Sequence, residues 1–309
     1  AAAQVSIGGA QSLYIHPGGR PAGMGDAFVS IADDAMACWW NPAGLAFLEH
    51  QYNVALMHSQ LVPDWEDVYY EYAAYAQKIE GLGTVGASVI YLTYGEQYAT
   101  QSDNPDIIGK FRSYEVIPSL AYGAAINDYL AVGVNLKFIY VDLAPAQYTT
   151  EGVKGSGTTF AADLGVLWRA MGGRWSVGGA VQHVGPRIAY IDEEQSDPLP
   201  RNLKVGTSYK LVSDEMNELT LSADYNKSLV IVEDIADQTL GVILNVGAEY
   251  RYYDLFALRA GYVYDEDGEI KDFAFGMGLK YRTFSFDVAN VPQAEGLTRP
   301  FRFSVTATF

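Results

Sequence analysis

Residues 130–140 read Leu-Ala-Val-Gly-Val-Asn-Leu-Lys-Phe-Ile-Tyr, and their alternation decides the fold. Leu130, Val132, Val134, Leu136, Phe138 and Tyr140 fall on one face, and Ala131, Gly133, Asn135 and Lys137 on the other. Period two marks an extended strand, whose successive side chains point to opposite faces. Working outward, residues 157–170 set Phe160, Ala162, Leu164, Val166 and Trp168 against Ala161, Asp163, Gly165 and Arg169. Residues 242–252 and the C-terminal stretch 301–309 alternate in the same way. The test predicts fourteen strands: 51–61, 68–78, 83–94, 112–126, 130–143, 157–170, 174–184, 202–211, 218–226, 242–252, 255–264, 272–281, 284–290 and 301–309. Most have the roughly 9 to 11 residues that a tilted strand needs to cross a bilayer, more than the 5 to 6 usual in soluble sheets.

The joins alternate in length. Short ones fall at 79–82, 127–129, 171–173, 212–217, 253–254 and 282–283, and longer ones at 62–67, 95–111, 144–156, 185–201, 227–241, 265–271 and 291–300. Short turns at one end and long loops at the other is the layout of an outer-membrane barrel, with turns periplasmic and loops outside. The fold expected is therefore all-β, a 14-stranded antiparallel transmembrane β-barrel occupying residues 51–309. Its outer face meets lipid, and the N-terminus is expected on the short-turn side.

Charge fixes which face is wet. Glu71, Glu115, Lys137, Asp163, Arg169, Lys204, Lys210, Asp224, Glu249, Arg251, Arg259, Lys280, Asp287 and Arg302 lie on the polar faces. A one-residue slip would put them into hydrocarbon, at about 2 to 4 kcal/mol for each Arg or Lys at the midplane. The long loops hold 19 acidic and 7 basic residues, so most of the net charge of −17 projects from one end. Tyrosines near strand ends (Tyr69, Tyr70, Tyr91, Tyr94, Tyr250, Tyr252, Tyr253, Tyr262, Tyr264 and Tyr281) read as an aromatic girdle at the headgroups.

Composition removes other classes. With 37 acidic and 20 basic residues in 309, the chain lacks the basic footprint of nucleic acid binding. The lone Cys38 cannot form an internal disulfide, and His16, His50, His58 and His183 are too scattered for the usual metal-ligand spacing. No apolar run reaches the length of a membrane helix. The opening Ala1-Ala2-Ala3-Gln4 reads as a mature exported chain after signal removal. Gly81-Leu82-Gly83-Thr84-Val85-Gly86 has the spacing of a dinucleotide loop, yet a strand follows where a helix is required. Asp265-Glu266-Asp267-Gly268-Glu269 is too short for a calcium loop of the EF-hand kind and reads as an exposed hairpin. Gly155-Ser156-Gly157 has no nucleophile-elbow context. No enzyme, cofactor or metal is expected.

Fourteen strands leave a lumen to be filled or left open. The first fifty residues break the alternation and are the expected plug, domain 1–50. They include Gly18-Gly19-Arg20-Pro21-Ala22-Gly23-Met24-Gly25-Asp26-Ala27-Phe28-Val29, then Ala32-Asp33-Asp34-Ala35 and Trp40-Asn41-Pro42-Ala43-Gly44-Leu45-Ala46. This stretch resembles the N-terminal signature of the PorV/PorQ family of outer-membrane proteins, which is related in fold to the FadL transporters, whose hatch also carries an Asn-Pro-Ala element. The resemblance continues through 112–143, 157–169 and Leu199-Pro200-Arg201-Asn202-Leu203-Lys204-Val205-Gly206, most of the chain. It implies a FadL-like barrel whose hatch motif is Gly23, Gly25, Asp26, Asn41, Pro42 and Ala43. It also implies a non-enzymatic accessory or cargo-docking role beside a type IX secretion translocon. The runner-up is a FadL-type transporter of hydrophobic small molecules, its pocket formed by Phe28, Trp39, Trp40 and Phe47.

Two further features bear on function. Pro118 removes a ladder donor inside a strand and predicts a kink or bulge, the place for a lateral opening. Leu229-Val230-Ile231-Val232 is an apolar run in an external loop, a candidate contact surface for a translocon or cargo protein.

Overall fold

The computed structural model describes residues 8–309 apart from 64–66, 101–105, 150–151, 193, 195, 231–240 and 295. Fourteen strands follow in sequence order: β1 (Tyr52–Gln60), β2 (Val68–Ile79), β3 (Gly83–Thr100), β4 (Ile107–Ala125), β5 (Leu130–Ala144), β6 (Gly155–Ala170), β7 (Trp175–Val184), β8 (Asn202–Ser213), β9 (Asn217–Ser228), β10 (Val242–Tyr252), β11 (Phe256–Asp265), β12 (Ile270–Tyr281), β13 (Phe284–Asn290) and β14 (Phe301–Thr308). Each pairs antiparallel with its neighbours in sequence, and β1 pairs with β14 to close the barrel. Closure leaves no sheet edge, as the hydrocarbon of a bilayer demands.

The alternation holds in space. Asn135, Lys137, Asp163, Lys204, Asp224 and Glu249 are buried, whereas Leu120, Leu136, Phe160 and Leu164 are 69%, 59%, 64% and 61% exposed on the outer wall. Greasy side chains outward and polar ones inward invert a soluble core and fit a lipid surround.

Glu71 is a correction. Its partner across β1 and β2 is His58, and both lie on the outer face, 2.7 Å apart. The inward residues of β2 are Tyr70, Tyr72, Ala74 and Ala76. They pack on apolar plug residues, so here the inner face is the oily one. Tyr70 is thus not part of a girdle, nor is Tyr94, whose hydroxyl donates to Glu115 inside the lumen (2.5 Å). Tyr69, Tyr91, Tyr114 and Tyr140 do form an outer ladder, with ring centroids 6.1 to 6.3 Å apart.

The expected join 95–111 is largely strand. Gly95, at φ 74, sits in a bulge that shifts the β3–β4 register between Thr93 and Glu96. Beyond it the pairing resumes, held by Lys110 donating to Glu96 (2.5 Å) and lying 4.8 Å over the Tyr98 ring. A bulge moves the alternation by one position, so a strict period-two test ends the strand there. β3 and β4 consequently reach 18 and 19 residues, against 9 and 8 for β1 and β14. Pro118 does not produce a bulge. It faces Val89 of β3 in unbroken register, and towards β5 the pairs run Val116↔Tyr140 and then Ser119↔Lys137 with the offset unchanged. The ring costs two pairs of ladder and no shift.

Residues 8–50 fill the lumen with four short helical turns: Gln11–Tyr14, Gly19–Gly23, Ala37–Trp40 and Pro42–Phe47. The backbone N–H of Gly9 donates to the Pro198 carbonyl and that of Ala10 to the Tyr190 hydroxyl, so the first described residues lie among the long loops. The chain then descends, and Gln51 accepts from Lys78 beside the short turn 80–82. The N-terminus itself, expected on the short-turn side, lies outside the described residues. An alternation test carries no information on the direction in which a plug is threaded.

Candidate functional site

The site is the junction between plug and wall. Asn41 is its clearest clamp. Its Nδ2 donates to the carbonyl of Val29 in the plug (2.9 Å) and of Val166 on β6 (3.0 Å), and its Oδ1 accepts the N–H of Ala43 (3.2 Å). One amide thus caps the turn that begins at Pro42, whose fixed φ suits the first helical position, and ties that turn to the barrel. Ala43 is buried beside Ala131 and Leu167 of the wall.

The motif glycines answer to close approach. A Cβ on Gly23 would stand 3.0 Å from the Gly276 Cα, and one on Gly25, at φ 62, would stand 2.8 Å from the Tyr262 nitrogen. The wall reciprocates: Gly133 and Gly165 press on Asn41 to Ala43, Gly178 on the Val29 backbone, Gly206 on the Asp224 carboxylate and the Val29 side chain, and Gly247 and Gly261 on Met24 and Gly25. Gly133 pairs with Gly165, Gly178 with Gly206 and Gly247 with Gly261, so adjacent strands present a track without side chains. Plug backbone lies directly on barrel backbone along it.

Buried charge holds the rest. Asp26 meets His16 (2.9 Å) and Arg302 (3.4 Å). Arg20 bridges Asp33 (2.5 Å) to Glu249 (2.9 Å), and Glu249 also takes Arg259 (2.6 Å). Asp224 accepts the N–H groups of Phe28 (2.7 Å) and Val29 (2.8 Å), while Glu115 accepts those of Gln11 and Ser12 (both 3.0 Å). Lys204 is fully buried, 4.7 and 4.5 Å over the Trp39 and Trp40 rings. Lys137 pairs with Asp163 at 2.6 Å. Burial alone would raise the Asp26 carboxyl, but Arg302 and His16 hold it down at about 2. Asp33 is exposed at the cavity, and the Arg20 guanidinium outweighs the desolvation of that setting and holds its carboxyl at about 2. Asp34 makes no ion pair among the described residues, and burial beside Asp33 outweighs the more distant Arg20 and raises it to about 7. His16 falls to about 4 through burial and the nearby Lys204, and burial pushes Cys38 up to about 12.

The aromatics expected to line a pocket divide. Phe28, Trp39 and Trp40 are fully buried in mutual contact, with Trp39 and Trp40 ring centroids 4.9 Å apart and Phe28 5.7 Å from Trp40. Phe47 instead lies under the Arg169 guanidinium (4.7 Å) and lines a cavity of about 610 Å³ that opens between the short turns. That cavity is edged by charged groups, among them Arg20, Asp33, Lys210, Glu218 and Arg251. Of the apolar loop run, Leu229 is 39% exposed and its N–H donates to the Arg201 carbonyl (2.8 Å); Ile231 and Val232 lie outside the described residues. In the 265–269 turn, Asp265 accepts the Gly268 N–H (2.9 Å). Among the described residues no cluster of three His, Cys, Asp or Glu could hold a metal ion.

Sequence reasoning missed the anchors Glu115, Asp224, Gln182 and Asn245, each an inward polar residue bonded to plug backbone. The usable signal was a polar side chain with no charged partner in the middle of a strand.

The sequence profile of the type IX secretion system protein PorV matches residues 2–234. No curated protein sequence matches the chain. Among solved structures, the toluene transporter TbuX of Ralstonia pickettii is similar with a TM-score of 0.59 and 14% identity, covering 95% of this chain and 98% of that one. The toluene transporter TodX of Pseudomonas putida gives 0.57 and 12%, with 93% and 95% covered. A FadL homologue of Pseudomonas aeruginosa gives 0.55 and 12%, with 94% and 97% covered. At these identities the likeness is one of fold.

Proposed function

The chain belongs to the PorV family of type IX secretion system proteins, and from that premise we propose that it is a non-enzymatic accessory barrel of a type IX-like secretion machinery. In this reading it sits in the bacterial outer membrane, long loops outside and short turns in the periplasm, and docks the translocon or holds secreted cargo. The observation that carries the reading is the β3–β4 hairpin. β3 begins and β4 ends at a short turn, so the excess of about eight residues over a bilayer crossing, at about 3.3 Å each, projects from the long-loop end. Tyr98, Ile107 and Ile108 are 53%, 60% and 48% exposed near its tip. Exposed apolar side chains beyond the tyrosine ladder suit a protein contact rather than acyl chains. The Leu229–Val232 run is a second candidate contact of the same kind.

The plug supports a docking role over conduction. Its backbone lies on the wall along the glycine track, and the cavity it leaves is charged. Transport of hydrophobic molecules rests on fold likeness alone, because Phe28, Trp39 and Trp40 are spent on packing each other.

Crosslinking from Tyr98 and Ile107 in native membranes, followed by mass spectrometry, tests the proposal. A translocon component or secreted protein is expected at both positions. Recovery of the barrel alone, with its hairpin uncrosslinked, defeats it.

A further inference from the structure

The cavity at the short-turn mouth holds cations that are mostly spoken for. Arg20 has Asp33 and Glu249, Lys210 and Arg251 share Glu218, Arg259 has Glu249 and Asp287, and Lys280 has Asp254. Two guanidiniums in the lining, Arg169 and Arg174, make no ion pair within 4 Å among the described residues, Asp33 and Glu49 acting on Arg169 only from farther away. Arg174 is exposed at the rim and donates to the Lys210 carbonyl at 3.4 Å. Arg169 differs. It is half-buried, one face covered by the Phe47 ring and Nη2 on the Ile31 carbonyl at 3.3 Å, and its other donors have no partner among the described residues.

A second observation converges on the same spot. Ser30, next to Ile31 in sequence and lining the same cavity, is fully buried, and its hydroxyl has no hydrogen-bond partner. An orphaned buried donor costs about 1 to 3 kcal/mol, which a bound acceptor would recover. A guanidinium fork fits a planar pair of oxygens, and Ile31 and Phe47 offer apolar surface beside it. Asp33, Asp34 and Glu49 line the same cavity, so a dianion would meet about twice the repulsion of a single charge.

We propose that the short-turn mouth binds a small monocarboxylate with an apolar body. The Arg169 guanidinium takes the carboxylate, the Ser30 hydroxyl donates to it, and Ile31 and Phe47 flank the body. The site does not depend on the secretion reading.

Isothermal titration of the detergent-solubilised full chain with benzoate, benzamide and inorganic phosphate tests this. Saturable binding of benzoate, with none of the neutral amide or of phosphate at the same concentrations, is expected. Arg169→Gln should weaken benzoate at least tenfold, Ser30→Ala severalfold, and Arg174→Gln less than twofold. If Arg169→Gln fails to fold, shown by loss of the heat-modifiable gel shift, Arg169→Lys and Ser30→Ala decide, each weakening benzoate at least threefold. Absent benzoate binding, benzamide binding as tight as benzoate, tighter phosphate, or affinity indifferent to Arg169 and Ser30 overturns the site.

Discussion

Arg20 of the plug and Glu249 of the barrel wall meet through two parallel hydrogen bonds, Nε to Oε2 and Nη2 to Oε1, each 2.9 Å. Glu249 is 1% exposed and also faces Arg259 and Arg251, so one carboxylate is shared by three guanidiniums, each of which has a second carboxylate in Asp33, Asp287 or Glu218. Removing it leaves each guanidinium short of one partner in a buried network, where the loss of one member of a pair costs about 3 to 5 kcal/mol. Glu249→Ala is therefore expected to lower stability by that amount in guanidinium unfolding followed by tryptophan fluorescence, while the exposed Glu215→Ala stays within about 0.5 kcal/mol. Equal losses in the two variants would show that the joint does not anchor the plug.

The adjacent glycines of β7 give an internal control. A Cβ on Gly178 would overlap the Val29 carbonyl of the plug, whereas on Gly179 its nearest neighbour is Val166 Cγ1 at 3.5 Å, an ordinary contact. Forcing a methyl into filled space costs about 1 to 3 kcal/mol. Gly178→Ala is expected to lose that much, and Gly179→Ala to stay within about 0.5 kcal/mol in the same unfolding assay. Identical behaviour of the two would mean that plug and wall are not in backbone contact.

That pair also marks where the sequence stops being readable. Strand count and lipid face followed from period two, because a strand has only two sides and hydrocarbon tolerates few charges. Gly178 carried no such mark, since a glycine read along a strand says nothing about what lies above it. Polarity alone places Glu71 inward, because a carboxylate should avoid lipid. Yet Tyr70 and Tyr72 face the apolar plug, and β2 has aromatic residues on both sides, so polarity could not set its phase. Asn41 and Pro42 were legible as a turn, but the second bond of the Asn41 amide, to Val166 far along the chain, was not.

Acid titration should separate the plug carboxylates. Asp26 and Asp33, held at about 2, contribute stability that is present above the unfolded value of about 4 and lost as pH falls towards 2. His16, lowered to about 4, adds a loss as pH falls from about 6.5 to about 4. Asp34 has the opposite sign. Unfolded it gives up its proton near pH 4 and folded near 7, so its contribution declines as pH rises across that window. Asp34→Asn removes this decline alone. The stability of the variant relative to the parent chain should climb from pH 4 to 7 and then level off, read from denaturation midpoints at each pH. A difference constant across the window would place Asp34 in water.

His58 Nδ1 and Glu71 Oε1 form an outward hydrogen bond (2.7 Å) on the barrel's outer face, beside the outer tyrosine ladder, with the His58 ring 6.0 Å from Tyr69. Depth decides what this costs. At the midplane a charge would cost about 2 to 4 kcal/mol and near the interface about 0 to 1, and a tyrosine belt is an interfacial feature. Replacing both partners of a polar pair by apolar residues of similar size is often neutral or stabilising, whereas removing one leaves the other without its hydrogen bond. The double substitution His58→Leu with Glu71→Leu is therefore expected to refold into lipid vesicles with unfolding stability equal to or above that of the parent chain. Glu71→Leu alone should fall between zero and about 1 kcal/mol below it. A loss of several kcal/mol in the double variant would contradict an interfacial, lipid-facing position and place the pair against protein or at greater depth.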